Sequence, residues 1–325
     1  MYSEAEIKSL INKALTNTIT RNTPVELYDP ILYSILAGGK RIRPTLCLLC
    51  YNLFNETINS NVLMPAIGIE IFHGFTLIHD DIMDNAEMRR GNATVHKKWS
   101  KNTAILSGDA MCIEAYRFIS QTDADHLPKV LEIFNKTAAQ VCEGQQFDLI
   151  FETKFLISEA DYLTMIGLKT AALIASAAKI GAIIAEASIA DCEHIYQFGY
   201  NLGMAFQIQD DVLDTYGNPN VFGKTIGGDI ISNKKTFLLI SALVKAQGQQ
   251  MSNLEDLLKT NDIDNDEKIK NVKAIFDTLE IKQLAEAKIN QYFNAAMEYL
   301  NKINVKEHRK ENIIKFVNEL VDRNY

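Results

Sequence analysis

Apolar residues recur at helical spacing along almost the whole chain, and this periodicity most limits what it can become. Ile67, Ile71, Phe75, Ile78 and Ile82 are separated by steps of four, four, three and four, which places them along one broad stripe of a helix. Runs of alternating polar and apolar residues with β-branched enrichment are hard to find, so the pattern predicts an all-α fold. Only six prolines and sixteen glycines interrupt 325 residues. Polar breaks near 55–61, 121–126, 217–220 and 248–266 read as loops between long helices. No Pro/Ser-rich linker, composition shift, short repeat or low-complexity tract divides the chain, so residues 1–325 read as a single domain.

A hydrophobic fraction of 47% in a chain this long supports a sizeable core. The formal charge of -8 disfavours nucleic acid and anionic membrane surfaces as partners, though it says nothing about a local cationic pocket. The N-terminal residues lack the basic region and apolar run of a secretory signal, which makes the cytoplasm the expected location. Ala171 to Ala190 is nearly long enough to cross a bilayer, but it is Ala-rich and carries Lys179 and Glu186, so it reads as a buried core helix and no transmembrane segment is expected. Five cysteines without a signal point to reduced thiols, and Cys47-Leu48-Leu49-Cys50 has no second Cys-x-x-Cys to complete a zinc site.

Two similar pentads carry the chemistry: Asp80-Asp81-Ile82-Met83-Asp84 and Asp210-Asp211-Val212-Leu213-Asp214. Residues four apart share a helix face, so Asp80 with Asp84, and Asp210 with Asp214, form carboxylate ladders flanked by Asp81 and Asp211. Like charges at that spacing repel, and the apolar neighbours Leu77, Ile78, Phe206 and Ile208 draw each cluster toward a core. A cation must compensate. Carboxylate oxygens suit Mg²⁺, which keeps part of its water shell and bridges protein carboxylates to substrate phosphates.

Positive charge follows the same order along the chain. Gly38-Gly39-Lys40-Arg41-Ile42-Arg43-Pro44 places a flexible glycine pair before three cations, and Arg89-Arg90-Gly91 follows the first pentad. Arginine's fork suits bidentate phosphate contact, while lysine acts as a point charge. Further on come Lys169-Thr170, Gln207, Lys224 and Lys234-Lys235-Thr236, each unremarkable alone. His73, on the stripe that carries Asp80 and Asp84, can donate to a phosphate, although a lone helical His is more often a satisfied core residue.

These segments resemble the trans-isoprenyl diphosphate synthases, the farnesyl and geranylgeranyl diphosphate synthase family. The matching text is GGKRIRP at 38–44, HGFTLIHDDIMD at 73–84, RRG at 89–91, KT at 169–170, FQIQDDVLD at 206–214, GKTIGGD at 223–229 and KKT at 234–236. The resemblance implies a helical prenyltransferase fold around a deep central cavity, usually in a homodimer, with the pentads facing each other across its mouth. It implies several Mg²⁺ ions held by Asp80, Asp84 and Asp210 and assisted by Asp81, Asp211 and Asp214. Arg89, Lys169, Thr170, Gln207 and Lys224 match the allylic diphosphate contacts. Lys40, Arg43, His73 and Arg90 match the isopentenyl diphosphate contacts, and Lys234 joins the cationic set. Asp80, Asp84, Asp210, Lys169, Thr170 and Gln207 would form the catalytic group. The implied reaction is head-to-tail condensation of isopentenyl diphosphate with an allylic diphosphate: the allylic diphosphate departs, the isopentenyl double bond attacks the carbocation, a proton is lost, and the released diphosphate acts as base.

Two departures stand out. Asn85-Ala86-Glu87-Met88 carries fewer acids than relatives often do, and Ile231-Ser232-Asn233 replaces a frequently charged stretch before the lysines. In this family the residues four and five positions before the first Asp form part of the floor that limits the product; here they are Thr76 and Phe75. One aromatic beside a small residue, with Phe72 a turn further back, resembles short-chain synthases that stop at C20 in preference to C15. A class I terpene cyclase normally lacks the second pentad and the Lys40/Arg43 pair, and a catalytically silent partner subunit should have eroded pentads.

Overall fold

A computed structural model describes residues 2–18, 23–217, 226–260 and 263–321. Along the chain run α1 (Glu4–Thr18), α2 (Val25–Leu36), α3 (Ile42–Asn52), α4 (Ser60–Met83), α5 (Val95–Lys98), α6 (Lys101–Ile119), α7 (Leu127–Glu152) and α8 (Glu159–Ile166). A π-helical turn (Gly167–Ala171) leads into α9 (Ala172–Ile184), followed by α10 (Ile189–Tyr216), α11 (Gly228–Ile231), α12 (Phe237–Lys245), α13 (Gln249–Lys259), α14 (Asn265–Thr278), α15 (Ile281–Asn301) and α16 (Glu311–Val321). The all-α expectation holds. Among the described residues the strands are one short antiparallel hairpin, β1 (Met88–Arg89) and β2 (Asn92–Ala93).

The chain forms two compact units: Met1–Lys136 with Leu173–Gly199 and Lys302–Phe316, and Thr137–Ala172 with Tyr200–Asn301 and Val317–Tyr325. In the first, α4 packs along α6, with α3 and α1 on α4 and α2 on α6. Asn59 caps α4 by accepting the Asn61 N–H at 3.0 Å. Ile67, Ile71 and Ile78 are buried as the stripe predicts, whereas Phe75 and Ile82 are only half-buried. Close helix contact depends on glycine: a Cβ on Gly68 would lie 2.8 Å from the Ala115 carbonyl oxygen. Gly181 of α9 is tighter still, since an added Cβ would overlap the Cys47 carbonyl of α3. Gly181→Ala should therefore destabilise the protein by about 2 kcal/mol or more, read as a lower urea midpoint. An unchanged midpoint would show that α3 and α9 separate without cost.

In the second unit, the core gathers Ile208, Val212, Phe237, Leu238, Leu254, Val272, Phe276 and Ile281, with α12 against α8, α14 and α15. Two sequence readings need correction. The 248–266 break is mostly helical, because Leu254 is buried and Met251, Leu257 and Leu258 pack on the same core at helical spacing. In the first unit, Arg89-Arg90-Gly91 belongs to a hairpin: Arg90 (φ 53°) and Gly91 (φ 75°) take the two left-handed turn positions of a tight β-turn. The apolar run 171–190 is broken after Ile184, where Glu186 (φ 58°) turns the chain before α10. The Gly217–Asn220 break lies outside the described residues beyond Gly217.

Ser60–Met83 and Glu159–Ile184 are long and apolar enough to cross a membrane, and 56% and 78% of their most apolar windows are buried within the protein. All five cysteines are free thiols. Burial pushes the Cys47 thiol up to about 12 and Cys50 well above its usual value, so neither offers a thiolate to a metal at neutral pH.

Candidate active site

The first acid cluster ends α4. Asp84 is its C-cap and donates its N–H to the Asp80 carbonyl at 2.9 Å, so the Asp80/Asp84 ladder keeps helical geometry. Asn85 (φ 51°) then turns left-handed, and Ala86 N–H reaches back to the Asp81 carbonyl at 3.0 Å in a Schellman-type stop. This gives Asn85, one of the sequence departures, a structural reason. Carboxylates at a helix C-terminus oppose the helix dipole, which adds to their mutual repulsion. Arg89 answers part of that charge: its Nε donates to Asp81 Oδ1 at 2.6 Å and its Nη2 lies 3.4 Å from Asp80 Oδ2. Even so, burial above all, with Asp80 and Asp84 beside it, pushes the Asp81 carboxyl up to about 6. The cluster still favours added positive charge.

The cations of this unit gather around His73. Gly38 (φ 81°) and Gly39 (φ 145°) adopt backbone that side chains avoid, and Arg90 donates to the Gly38 carbonyl with its guanidinium where a Gly39 Cβ would sit. Burial, then Arg43, Arg90, Arg89 and Arg41, hold the His73 imidazole well below its usual value, so it is neutral at pH 7. Arg43 sits in the first turn of α3, and Lys40 is exposed on the loop before it. Arg41, the middle cation of that run, has a different occupation: it is buried, paired to Glu70 Oε1 at 2.8 Å and donating to the Ile35 carbonyl at 2.7 Å. Glu70 carried no signal in the sequence beyond being an acid inside an apolar helix.

The second acid cluster lies in the last two turns of α10, again at a helix C-terminus. Asp214 accepts the Asp229 N–H at 2.9 Å, and its carbonyl accepts the Gly227 N–H at 2.7 Å. Asp211 is buried and receives three donors: Tyr162 Oη at 2.6 Å, Phe237 N at 3.0 Å and Gln207 Nε2 at 3.1 Å. Phe237 opens α12, whose cap Thr236 accepts the Leu239 N–H, so a helix N-terminus faces this carboxylate. Burial first and Asp229 second push the Asp211 carboxyl up to about 7, against the lowering effect of those three donors.

Lys169 and Thr170 stand in the π-turn, a rare local geometry that re-aims side chains. Two glycines let other helices touch it: added Cβ atoms would lie 2.6 Å from Ala171 Cα at Gly203 and overlap the Lys169 backbone at Gly144. Lys169 Nζ pairs with Asp148 Oδ2 at 2.6 Å, and Thr170 Oγ1 donates to Gln207 Oε1 at 2.9 Å. The Ile231-Ser232-Asn233 departure is a turn: Asn233 (φ 55°) donates to the Leu258 carbonyl at 2.9 Å, and buried Lys268 donates to Asn233 Oδ1 at 2.8 Å and to the Ile231 carbonyl at 3.2 Å. Lys234 is half-buried directly after it, and Lys224 lies outside the described residues.

The structure thus brings together Arg43, His73, Arg89, Arg90 and the first pentad in one unit, and Lys169, Thr170, Gln207 and the second pentad in the other. Asp148, Tyr162, Glu70 and Asp229 are neighbours that sequence reading did not pick out. Among the described residues no three acidic, imidazole or thiol groups converge into a closed ion cage. The carboxylate pairs at the ends of α4 and α10 are oxygen donors of the kind Mg²⁺ takes, one or two at a time, with water and phosphate oxygens completing its octahedron.

Paired carboxylates close both α4 and α10, and clustered arginines stand beside the first of them. The sequence profile of the polyprenyl synthetase family matches residues 24–276, and the chain belongs to that family. It is 38% identical over 239 residues to a geranylgeranyl diphosphate synthase of Methanosarcina mazei, covering 73% of this chain and 74% of that one. It is 35% identical over 287 residues to a geranylfarnesyl diphosphate synthase of Aeropyrum pernix, covering 86% and 89%. Among solved structures, a geranylgeranyl pyrophosphate synthase superposes with a TM-score of 0.94 at 38% identity over the whole of both chains. A polyprenyl synthase of Caulobacter crescentus complexed with calcium and isoprenyl diphosphate superposes with a TM-score of 0.88 at 26% identity, covering 98% of this chain and 95% of that one.

Proposed function

We propose that this trans-prenyltransferase joins isopentenyl diphosphate head-to-tail to allylic diphosphates and stops at a short all-trans product, the C20 geranylgeranyl diphosphate before the C15 farnesyl. The observation that carries this reading is the pair of intact Asp-Asp-x-x-Asp clusters, each at a helix C-terminus where negative charge needs a cation. Asp80, Asp84 and Asp210 would hold Mg²⁺, with Asp81, Asp211 and Asp214 behind them; the metal would supply charge stabilisation to the departing diphosphate. The family match runs from residue 24 to 276, through segments of both units, and supports reading residues 1–325 as one catalytic domain.

Arg89, held by Asp80 and Asp81, would bind the allylic diphosphate, with Lys169 and Lys224 joining it on the family resemblance. Lys40, Arg43, Arg90 and the neutral His73 form a donor set for isopentenyl diphosphate, with Lys234 a further cation. A neutral imidazole among arginines donates a hydrogen bond without adding another charge to a crowded cationic group. Thr170 and Gln207 would support the carbon that becomes cationic through their oxygen dipoles. The dimer rests on the resemblance, and a cytoplasmic location is part of the same reading.

Phe75 is the floor residue in this account. Its ring meets Phe72 at 5.4 Å and His79 at 4.8 Å, while Thr76 donates to the His73 carbonyl at 2.9 Å. Phe75→Ala should move the main product up by one or more C5 units, read by mass analysis of the products formed with Mg²⁺. An unchanged distribution would remove Phe75 from the floor, and a wild-type main product longer than C20 would overturn the assignment of length.

A further inference from the structure

Resting on that reading, we propose that Asp211, the central carboxylate of the second pentad, is a positioning residue that acts on the reaction through Gln207 and Thr170 and not through the metal. Both of its oxygens already have protein donors: Oδ2 receives Tyr162 Oη at 2.6 Å and Phe237 N at 3.0 Å, and Oδ1 receives Gln207 Nε2 at 3.1 Å. Tyr162 is 1% exposed and Asp211 5% exposed, so both sit inside the packed unit. A backbone N–H can only donate, so Oδ2 accepts from Phe237, and Oδ1 accepts from the Gln207 amide nitrogen.

Those constraints run outward along the chain of hydrogen bonds. Because Asp211 accepts, Gln207 must turn its NH₂ toward it and its carbonyl oxygen toward Thr170. Because Gln207 offers Thr170 an oxygen, Thr170 must spend its hydroxyl proton on that bond, at 2.9 Å. The remaining lone pairs of the Thr170 and Gln207 oxygens are then fixed in direction by a buried carboxyl group two hydrogen bonds from Thr170. Preorganised dipoles of this kind stabilise positive charge as it develops without reorganising at the moment of reaction. The π-turn and Gly203 are what let the two elements approach closely enough for the Thr170–Gln207 bond.

Asp211→Asn puts a donor into this arrangement. If its NH₂ faces Gln207, the Gln207 amide must reverse and present N–H groups to Thr170; if it faces Tyr162 and Phe237, donors oppose donors. The expected result is a fall in kcat of about 10- to 100-fold, the span of one charge-assisted hydrogen bond. KM for both diphosphates and the Mg²⁺ concentration at half-maximal rate should stay within about twofold of wild type, while Asp210→Asn raises the latter. In a Gln207→Leu background, Asp211→Asn should cost less than about threefold more, because the path it acts through is already gone. Tyr162→Phe keeps the ring and removes one donor; it should show the same kcat-only pattern at about 3- to 10-fold, and it carries the test if Asp211→Asn melts below assay temperature.

A rise in the Mg²⁺ requirement of Asp211→Asn matching that of Asp210→Asn, or fully additive losses with Gln207→Leu, would overturn the inference while leaving the enzyme's function intact. A folded wild type that condenses nothing would instead remove the underlying reading.

Discussion

Asp80→Ala and Asp210→Ala are each expected to lower turnover by about 10³-fold or more while the protein stays folded, with far-UV circular dichroism and the thermal midpoint close to wild type. The reason is electrostatic. Each cluster concentrates carboxylates at a helix end whose dipole already opposes them, and the Asp81 carboxyl is pushed up to about 6 chiefly by burial. Removing one acid relieves that repulsion, so stability should hold or rise slightly, whereas a Mg²⁺ ion bound there would lose a ligand and with it the charge stabilisation it would supply to the diphosphate. Loss of activity with retained or improved stability would be the signature of acids kept for chemistry. Near-normal turnover in both variants would sink the account in which two clusters serve one reaction.

The largest effect on stability should come from a pair with no place in the chemistry. Arg41 is 8% exposed and Glu70 6% exposed, and they meet at 2.8 Å. Glu70→Ala leaves a guanidinium buried with the Ile35 carbonyl and Asn12 as its remaining partners, and should cost about 3–5 kcal/mol, seen as a large drop in the urea midpoint. Arg41→Met combined with Glu70→Leu replaces both charges with apolar side chains of similar volume and should recover much of that loss. If the double variant is as unstable as Glu70→Ala alone, the cost lies in packing and not in the stranded charge.

How much of this was legible beforehand depends on whether the information is local. The all-α architecture and the α4 stripe follow from periodicity, and Ile67, Ile71 and Ile78 are buried as that periodicity requires. The pentads are equally local, since four-residue spacing on a helix fixes which carboxylates share a face. By contrast, Asp211 is oriented by Tyr162, 49 residues earlier, and Phe237, 26 residues later. No spacing rule connects them; only packing of α8, α10 and α12 does. Arg41 looked like one of three equivalent cations, yet it follows two glycines, takes a left-handed φ of 52° and is drawn to Glu70. The hairpin at Arg89-Arg90-Gly91 left no trace in the sequence pattern because its strands are two residues each, too short for any alternation. The helix Gln249–Lys259 was hidden by polar composition, since Leu254 is the residue in it that becomes buried.

The most direct test of the central claim is to incubate the purified protein with isopentenyl diphosphate, each of the C5, C10 and C15 allylic diphosphates, and either Mg²⁺ or EDTA, and to determine the products by mass. Mg²⁺-dependent elongation ending at C20, abolished by EDTA and restored by added Mg²⁺, is the result expected. A folded protein that elongates no starter, or one that consumes an allylic diphosphate without incorporating isopentenyl units, would contradict it.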